Sequence, residues 1–202
     1  MVCFCDIPLA RISEHISFYG EFGIGVTRTW AEKNNLNPVI YLSRDTPISS
    51  ALARLLRDGA VAANRGSGFN GHYENSGLDV NSVISYVKPV SGSISIDGAP
   101  TDKDFYQENE WRYVPSKSEI NMWISKENHL NEEVLKANND NSKLHGSLKL
   151  EPCDIVYIFV KSDSDIPIVV DYIQTELGDF SGNDLKILVS RVTSTESISV
   201  DL

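Results

Sequence analysis

The stretch "DIVYIFV" (Asp154–Val160) constrains the fold more than any other part of this chain. After its leading aspartate it is a run of β-branched and aromatic residues, which packs well as a strand and poorly as an exposed helix. A helical period takes over from about Asp165. Ile166, Val169, Val170, Ile173 and Leu177 fall on one apolar stripe, with Pro167 in the first turn, where proline is tolerated. "LKILVS" (Leu185–Ser190) then reads as a second strand. Elsewhere "FGIGVT" (Phe22–Thr27) and "NPVIYL" (Asn37–Leu42) read as strands on either side of a polar helical turn at "RTWAEKNN". "SVISYVKPV" and "SGSISIDGAP" are strand-like segments with a hairpin turn signal at Asp97-Gly98. Hairpins joined to one strand–helix–strand tail predict an α+β fold rather than a doubly wound sheet. With 202 residues, the expectation is a single domain over 1–202, built on a mixed, mostly antiparallel sheet flanked by helices.

Shorter signals fill in the rest. "VCFC" (Val2–Cys5) reads as a short strand, and "LARISEHISFYG" as a short helix closing at Gly20. Ile48, Ala51, Leu52, Leu55 and Leu56 recur at the spacing of an amphipathic helix with Pro47 near its start. "NRGSGFNGHYENSG" (Asn64–Gly77) is a glycine-rich loop. Ser116 to Asn141 is polar and helical in places, with "ANNDNSK" reading as loop.

Charge narrows the function classes. Eighteen Lys and Arg against 28 Asp and Glu give a net charge of −10, which disfavours binding to nucleic acid through phosphate attraction. No apolar run approaches the roughly 20 residues of a membrane span, and "MVCFCDIPLA" lacks the basic and apolar regions of a secretory leader. A cytoplasmic protein is the expectation. Cys3, Cys5 and Cys153 then read as reduced thiols, buried as small apolar side chains.

Candidate chemistry concentrates in "DFYQENEWRYVP" (Asp104–Pro115). Gly66, Gly68 and Gly71 spell G-x-G-x-x-G, but a helix precedes them, so the dinucleotide fingerprint lacks its strand. His15, His72, His129 and His145 follow no ligand spacing, and no metal site is expected. In a regular strand Tyr106, Glu108, Glu110 and Arg112 share one face. Two carboxylates there either solvate an inert strand or are put to use. Flanked by Phe105, Trp111 and Tyr113, they have the setting in which burial shifts a carboxyl pKa. A carboxylate facing a cleft would stabilise a cationic transition state such as an oxocarbenium ion.

"VCFCDIPLARISEHISFYGEFGIGVTRTW", "NPVIY", "FYQENEWRYVP" and "DIVYIFVKSDSDIP" together resemble the abortive phage resistance proteins of the AbiGi family, named as the antitoxin of their system. The resemblance implies a role in phage defence and a protein partner, a toxin or a phage component. It also implies a lead-in segment ahead of the "VCFCDIPL" strand in the relatives. A glutamate-x-glutamate strand downstream of a glycine-containing segment is more distantly similar to ADP-ribosyltransferase-like domains. That likeness implies NAD as a substrate, Glu110 as the catalytic glutamate and Glu108 as its partner. His15, Tyr19 and Arg112 would contact the dinucleotide. Three readings result: an NAD-dependent ADP-ribosyltransferase or NAD glycohydrolase, or a degenerate relative; a non-enzymatic antitoxin-type binding module; and an inert strand face.

Overall fold

The computed structural model describes residues 1–64, 82–96, 98–115, 119–121 and 124–201. In chain order its strands are β1 (Val2–Cys5), β2 (Gly23–Val26), β3 (Asn37–Pro38), β4 (Ile40–Leu42), β5 (Val87–Pro89), β6 (Ser91–Ile96), β7 (Ala99–Asp104), β8 (Glu110–Tyr113), β9 (Ile155–Val160) and β10 (Val192–Ser194). The α-helices used below are α1 (Ile12–Tyr19), α2 (Arg28–Lys33), α3 (Pro47–Asn64), α4 (Lys126–Leu130), α5 (Glu132–Gly146), α6 (Ile166–Glu176), α7 (Gly182–Val189) and α8 (Thr195–Asp201). The α+β expectation holds, with both parallel and antiparallel pairs shared among small sheets. The chain divides into two compact units. The first takes Met1, Ile12–Leu36 and Tyr113–Leu202, and the second takes Val2–Arg11 and Asn37–Arg112.

In the first unit the apolar run does what its composition requires. β9 is the central strand of a sheet ordered β10-β9-β2, parallel to β10 and antiparallel to β2. Ile155 and Ile158 pack with Ile173 of α6 and Leu188 of α7, and Val169, Leu177, Leu185, Val189 and Val192 close around them. The stripe read along α6 is therefore the core-facing side of that helix. On the other face of the sheet, the rings of Phe159 and Tyr157 lie where a Cβ on Gly23 or Gly25 would stand. Buried Trp30, on α2, donates its indole N–H to the Lys149 carbonyl at 3.2 Å.

Two expectations for this unit are corrected. "LKILVS" is helical, because Ser181 caps α7 by accepting from the Asp184 N–H at 3.2 Å. Leu185, Leu188 and Val189 then stand at i, i+3 and i+4, a face that a short apolar run does not distinguish from a strand. The second strand begins later, at Val192. "ANNDNSK" is also helical, inside α5. There Asn131 accepts from the N–H groups of Glu133 and Val134. Acidic residues in the first turn and Lys143 and His145 in the last oppose the helix dipole.

The second unit is a set of short pairings. β8 lies between β1 and β3, β4 pairs with β5 in parallel, and β6 and β7 form the expected hairpin, with Gly98 at φ +82° in its turn. "NPVIYL" is not one strand. Asn37 and Pro38 pair with Arg112 and Trp111, and Pro38 has no N–H to extend the ladder. The chain changes partner around buried Val39, and Ile40–Leu42 pairs with Val87–Pro89. "SVISYVKPV" is corrected too: residues 82–85 are helical, the Tyr86 N–H closes a turn onto the Val83 carbonyl, and the strand starts at Val87. The stripe of α3 is only partly covered, since Ile48 and Leu55 are exposed. Gly66, Gly68, Gly71 and His72 lie outside the described residues. Among the described residues no helix is long and apolar enough to cross a membrane.

The helical face of α7 is testable by substitution. Leu188→Ala removes a side chain that is 1% exposed and is expected to cost about 2–5 kcal/mol in urea unfolding. Leu185→Ala also destabilises, whereas Ile187→Ala, at 49% exposure, stays within about 0.5 kcal/mol. A strand would instead put Leu185 and Ile187 on one side and make them respond together.

Candidate functional site

Glu108 and Glu110 meet through a break in the backbone. The Asp104 carboxylate accepts from the Tyr106 N–H at 3.1 Å and starts a 3-10 turn over Phe105–Glu108. Asn109 ends that turn in the left-handed region (φ 44°, ψ 54°), which a short amide side chain tolerates better than most, and β8 begins only at Glu110. The expected alternation along one continuous strand is therefore overturned. Tyr106 is 64% exposed, while Glu108 and Glu110 are 4% and 3% exposed. The reading of a solvated strand face falls with it, because neither carboxylate reaches bulk water.

Buried carboxylates require cations. The Lys88 ammonium, from β5, donates to Glu108 Oε2 and to Glu110 Oε2. Lys103 Nζ, from β7, reaches Glu108 Oε1 at 2.9 Å. Arg112 Nε donates to Glu110 Oε1 at 2.5 Å, and its Nη1 donates to the carbonyls of Ser85 (2.7 Å) and Val87 (3.2 Å). Each of the four carboxylate oxygens thus faces a positive group. Around this cluster the Glu110 N–H donates to the Tyr41 hydroxyl at 2.9 Å, and the Lys88 ammonium stands 4.7 Å from the Phe105 ring centroid. The hairpin alternation aims Lys103 inward, in register with Gly92. A Cβ on Gly92 would meet the Phe105 ring at 2.9 Å.

Burial works against the charge on Glu110, but hydrogen bonds from Arg112, Lys88 and Cys3 outweigh it and hold the carboxyl below its ordinary value. Burial likewise works against the Lys88 ammonium, and the hydrogen bonds to Glu108 and Glu110 hold its pKa above the ordinary value. Burial, then the two glutamate charges, pushes the Cys5 thiol up to about 12. Burial, then the bond to Glu110, raises Cys3 as well. Neither thiol is a ready nucleophile at neutral pH. All three cysteines are free thiols, but the expectation of full burial fails: Cys3 and Cys153 are exposed and Cys5 is half-buried.

Of the residues read from sequence, the structure brings Glu108, Glu110 and Arg112 together in the second unit. His15 and Tyr19 lie on α1 in the first unit, where their rings stand 4.6 Å apart. Sequence reasoning missed Lys88 and Lys103. Lys88 carried a signal: it is the one charge in the apolar "SYVKPV", and a lysine in such a run needs an anion. As for metals, Glu151, Cys153 and Asp154 bring ligand atoms within 4.8 Å of one another. Asp154 Oδ2 there accepts from the Glu151 N–H at 2.9 Å, the reciprocal cap of the turn Pro152–Asp154, which accounts for the grouping.

Comparison with known families matches residues 1–161 to the family described as "Putative abortive phage resistance protein AbiGi, antitoxin". The chain belongs to the AbiGi family. It is similar to the abortive phage resistance protein AbiGi of Lactococcus lactis subsp. cremoris, with 28% identity over 188 residues, spanning 80% of this chain and 71% of that relative. No solved structure matches. As an AbiGi-family member the chain is a phage-resistance protein of the abortive-infection type, and the family match spans the whole ionic cluster.

The cluster makes two predictions. Lys88→Met takes the shared cation from Glu108 Oε2 and Glu110 Oε2 while Lys103 and Arg112 stay in place, and is expected to cost about 3–5 kcal/mol in chemical unfolding, where a surface pair would cost under about 1. Stability is also bounded in pH. Glu110 binds its proton more weakly folded than unfolded. Its contribution is therefore complete above the ordinary value of 4.5 and is lost as pH falls through the lower folded value. Lys88 has the opposite sign. Its contribution is complete below 10.5 and is lost as pH rises through the higher folded value. Unfolding midpoints across pH should show a plateau between these limits, and Lys88→Met should flatten the alkaline side.

Proposed function

We propose that this chain acts in abortive infection as a non-enzymatic, antitoxin-type module that binds a protein partner and does not turn over NAD. One observation carries this reading: every oxygen of Glu108 and Glu110 is engaged by Lys88, Lys103 or Arg112. A glutamate that stabilises an oxocarbenium ion must face the substrate with negative charge that its neighbours have not already compensated. Here three cations surround two carboxylates, and a further cation would meet repulsion. Arg112, which the NAD reading would use for the dinucleotide, is committed to Glu110 and to two backbone carbonyls. The family description names an antitoxin, which makes a toxin the natural partner.

Two assays test this. Purified chain with NAD is expected to release no nicotinamide above the buffer rate, and co-expression is expected to relieve the growth arrest of its toxin. Glu110→Gln should weaken that relief only as far as it lowers the folded fraction. Nicotinamide release that Glu110→Gln abolishes in a still-folded protein would return the glutamates to a catalytic role and end the non-enzymatic reading.

A further inference from the structure

A binding module needs a face to offer, and the first unit carries one at the edge of its sheet. An open cavity of about 430 Å³ lies between the residues leading into β2, the end of β9 and the first turn of α6. That volume suits a single anchoring side chain or a short peptide segment. Buried Val160 and half-buried Val169 line its depth, and Phe22 and Ile168 line it with 64% and 68% of their surface in solvent. Tyr172, one helical turn beyond Ile168, is 61% exposed and continues the apolar face. Phe22 and Ile168 share this concavity and Tyr172 extends it, and contiguous exposed apolar groups are where an interaction surface is to be sought.

Charge says what kind of partner fits. Glu21, Lys161 and Asp165 complete the lining; Lys161 Nζ is held by Glu21 at 2.9 Å, Asp165 Oδ2 accepts from the Ser162 N–H and hydroxyl, and the three together leave one net negative charge at the rim. α6 beside the cavity carries Asp171 and Glu176 and no Lys or Arg, so this helix adds negative charge to the surroundings. A flanking cation from outside would be drawn to Asp165 and would compete with Lys161 for Glu21.

We propose that this cavity is the docking site for a basic segment of the partner polypeptide, with one aliphatic or aromatic side chain seated between Phe22 and Ile168 and Lys or Arg residues on either side facing Asp165 and α6. It rests on the protein-binding role proposed above. The apolar anchor gives most of the affinity, and the acidic surroundings give attraction at a distance and selection against acidic partners. Neither the ionic cluster of the second unit nor its glutamates take part.

The test has two arms. In the first, the full ¹⁵N-labelled chain is titrated with a twelve-residue peptide of lysines around one central leucine. Amide shifts are expected to gather at Phe22, Lys161, Ile168 and Val169. Affinity is expected to fall about tenfold or more with Ile168→Ser or Phe22→Ser, and equally when the peptide's leucine becomes serine. Both replaced side chains are largely exposed, so the variants keep their fold. Shifts scattered over the acidic surface, or binding indifferent to Ile168→Ser, would overturn the docking site. In the second arm, the toxin is bound to wild-type and Ile168→Ser chain. Equal binding by both removes the docking assignment and leaves the antitoxin role standing. Peptide capture at the cavity with no toxin bound by wild type removes the antitoxin role and keeps the basic-segment site.

Discussion

Two carboxylates brought within one turn of backbone cannot both stay ionised out of water unless a cation stands between them, and in this chain that cation is Lys88. Much of the second unit follows from getting Lys88 there. It rides on β5, in register with Tyr41 of β4, and the Tyr41 hydroxyl accepts the Glu110 N–H. β4 follows β3 directly, and β3 pairs with β8, the strand that carries Glu110 and Arg112. Arg112 closes the circuit by bonding the backbone carbonyls of Ser85 and Val87 on either side of the turn that delivers β5. Strands of three or four residues hold little by themselves. Here β5 and β8 are fixed by charged side chains, Lys88 and Arg112, whose misplacement would leave an ion unpaired in a dry setting. Ionic interiors of this kind are weak evidence for net stability, and their better-supported use is to select one arrangement among near-alternatives.

The two units solve the problem of an interior in different ways. The first buries Ile155, Ile158, Ile173 and Leu188 beneath a helix pair, an apolar solution that tolerates volume-conserving change. The second buries two acids against three half-buried bases, a solution in which each replacement leaves a charge without its partner. Such a constellation can serve architecture alone, so a glutamate-x-glutamate motif does not by itself mark a reaction.

Legibility in the sequence followed the strength of periodicity. The strand at Ile155–Val160 and the stripe from Ile166 to Leu177 were readable because many residues repeat one spacing. Leu185–Ser190 was misread because six residues hold too few periods to separate a helix from a strand, and the deciding feature, the Ser181 cap, lies outside the apolar run. The same limit applies to Asp104–Tyr113. Its aromatic and charged residues alternate well enough to suggest one strand, while the fold turns on a single left-handed residue, Asn109, whose backbone state no pattern announces. Glu108, Glu110 and Arg112 were visible as a group because they are neighbours in sequence. Lys88 and Lys103 were not, because partners that arrive from another strand pair and from a hairpin leave no local spacing to read.

Both units are assembled from distant pieces of chain. β1 pairs with β8, and β2 pairs with β9, so each sheet joins the beginning of the sequence to a segment more than a hundred residues further on. Loop closure over such spans is entropically costly, and neither β1 nor β2 has its partner strand nearby in sequence. During synthesis, β1 and β2 leave the ribosome long before their partners exist. The apolar "VCFC" and "FGIGV" therefore cannot pair as they do in the fold until residues 110–113 and 155–160 have been made.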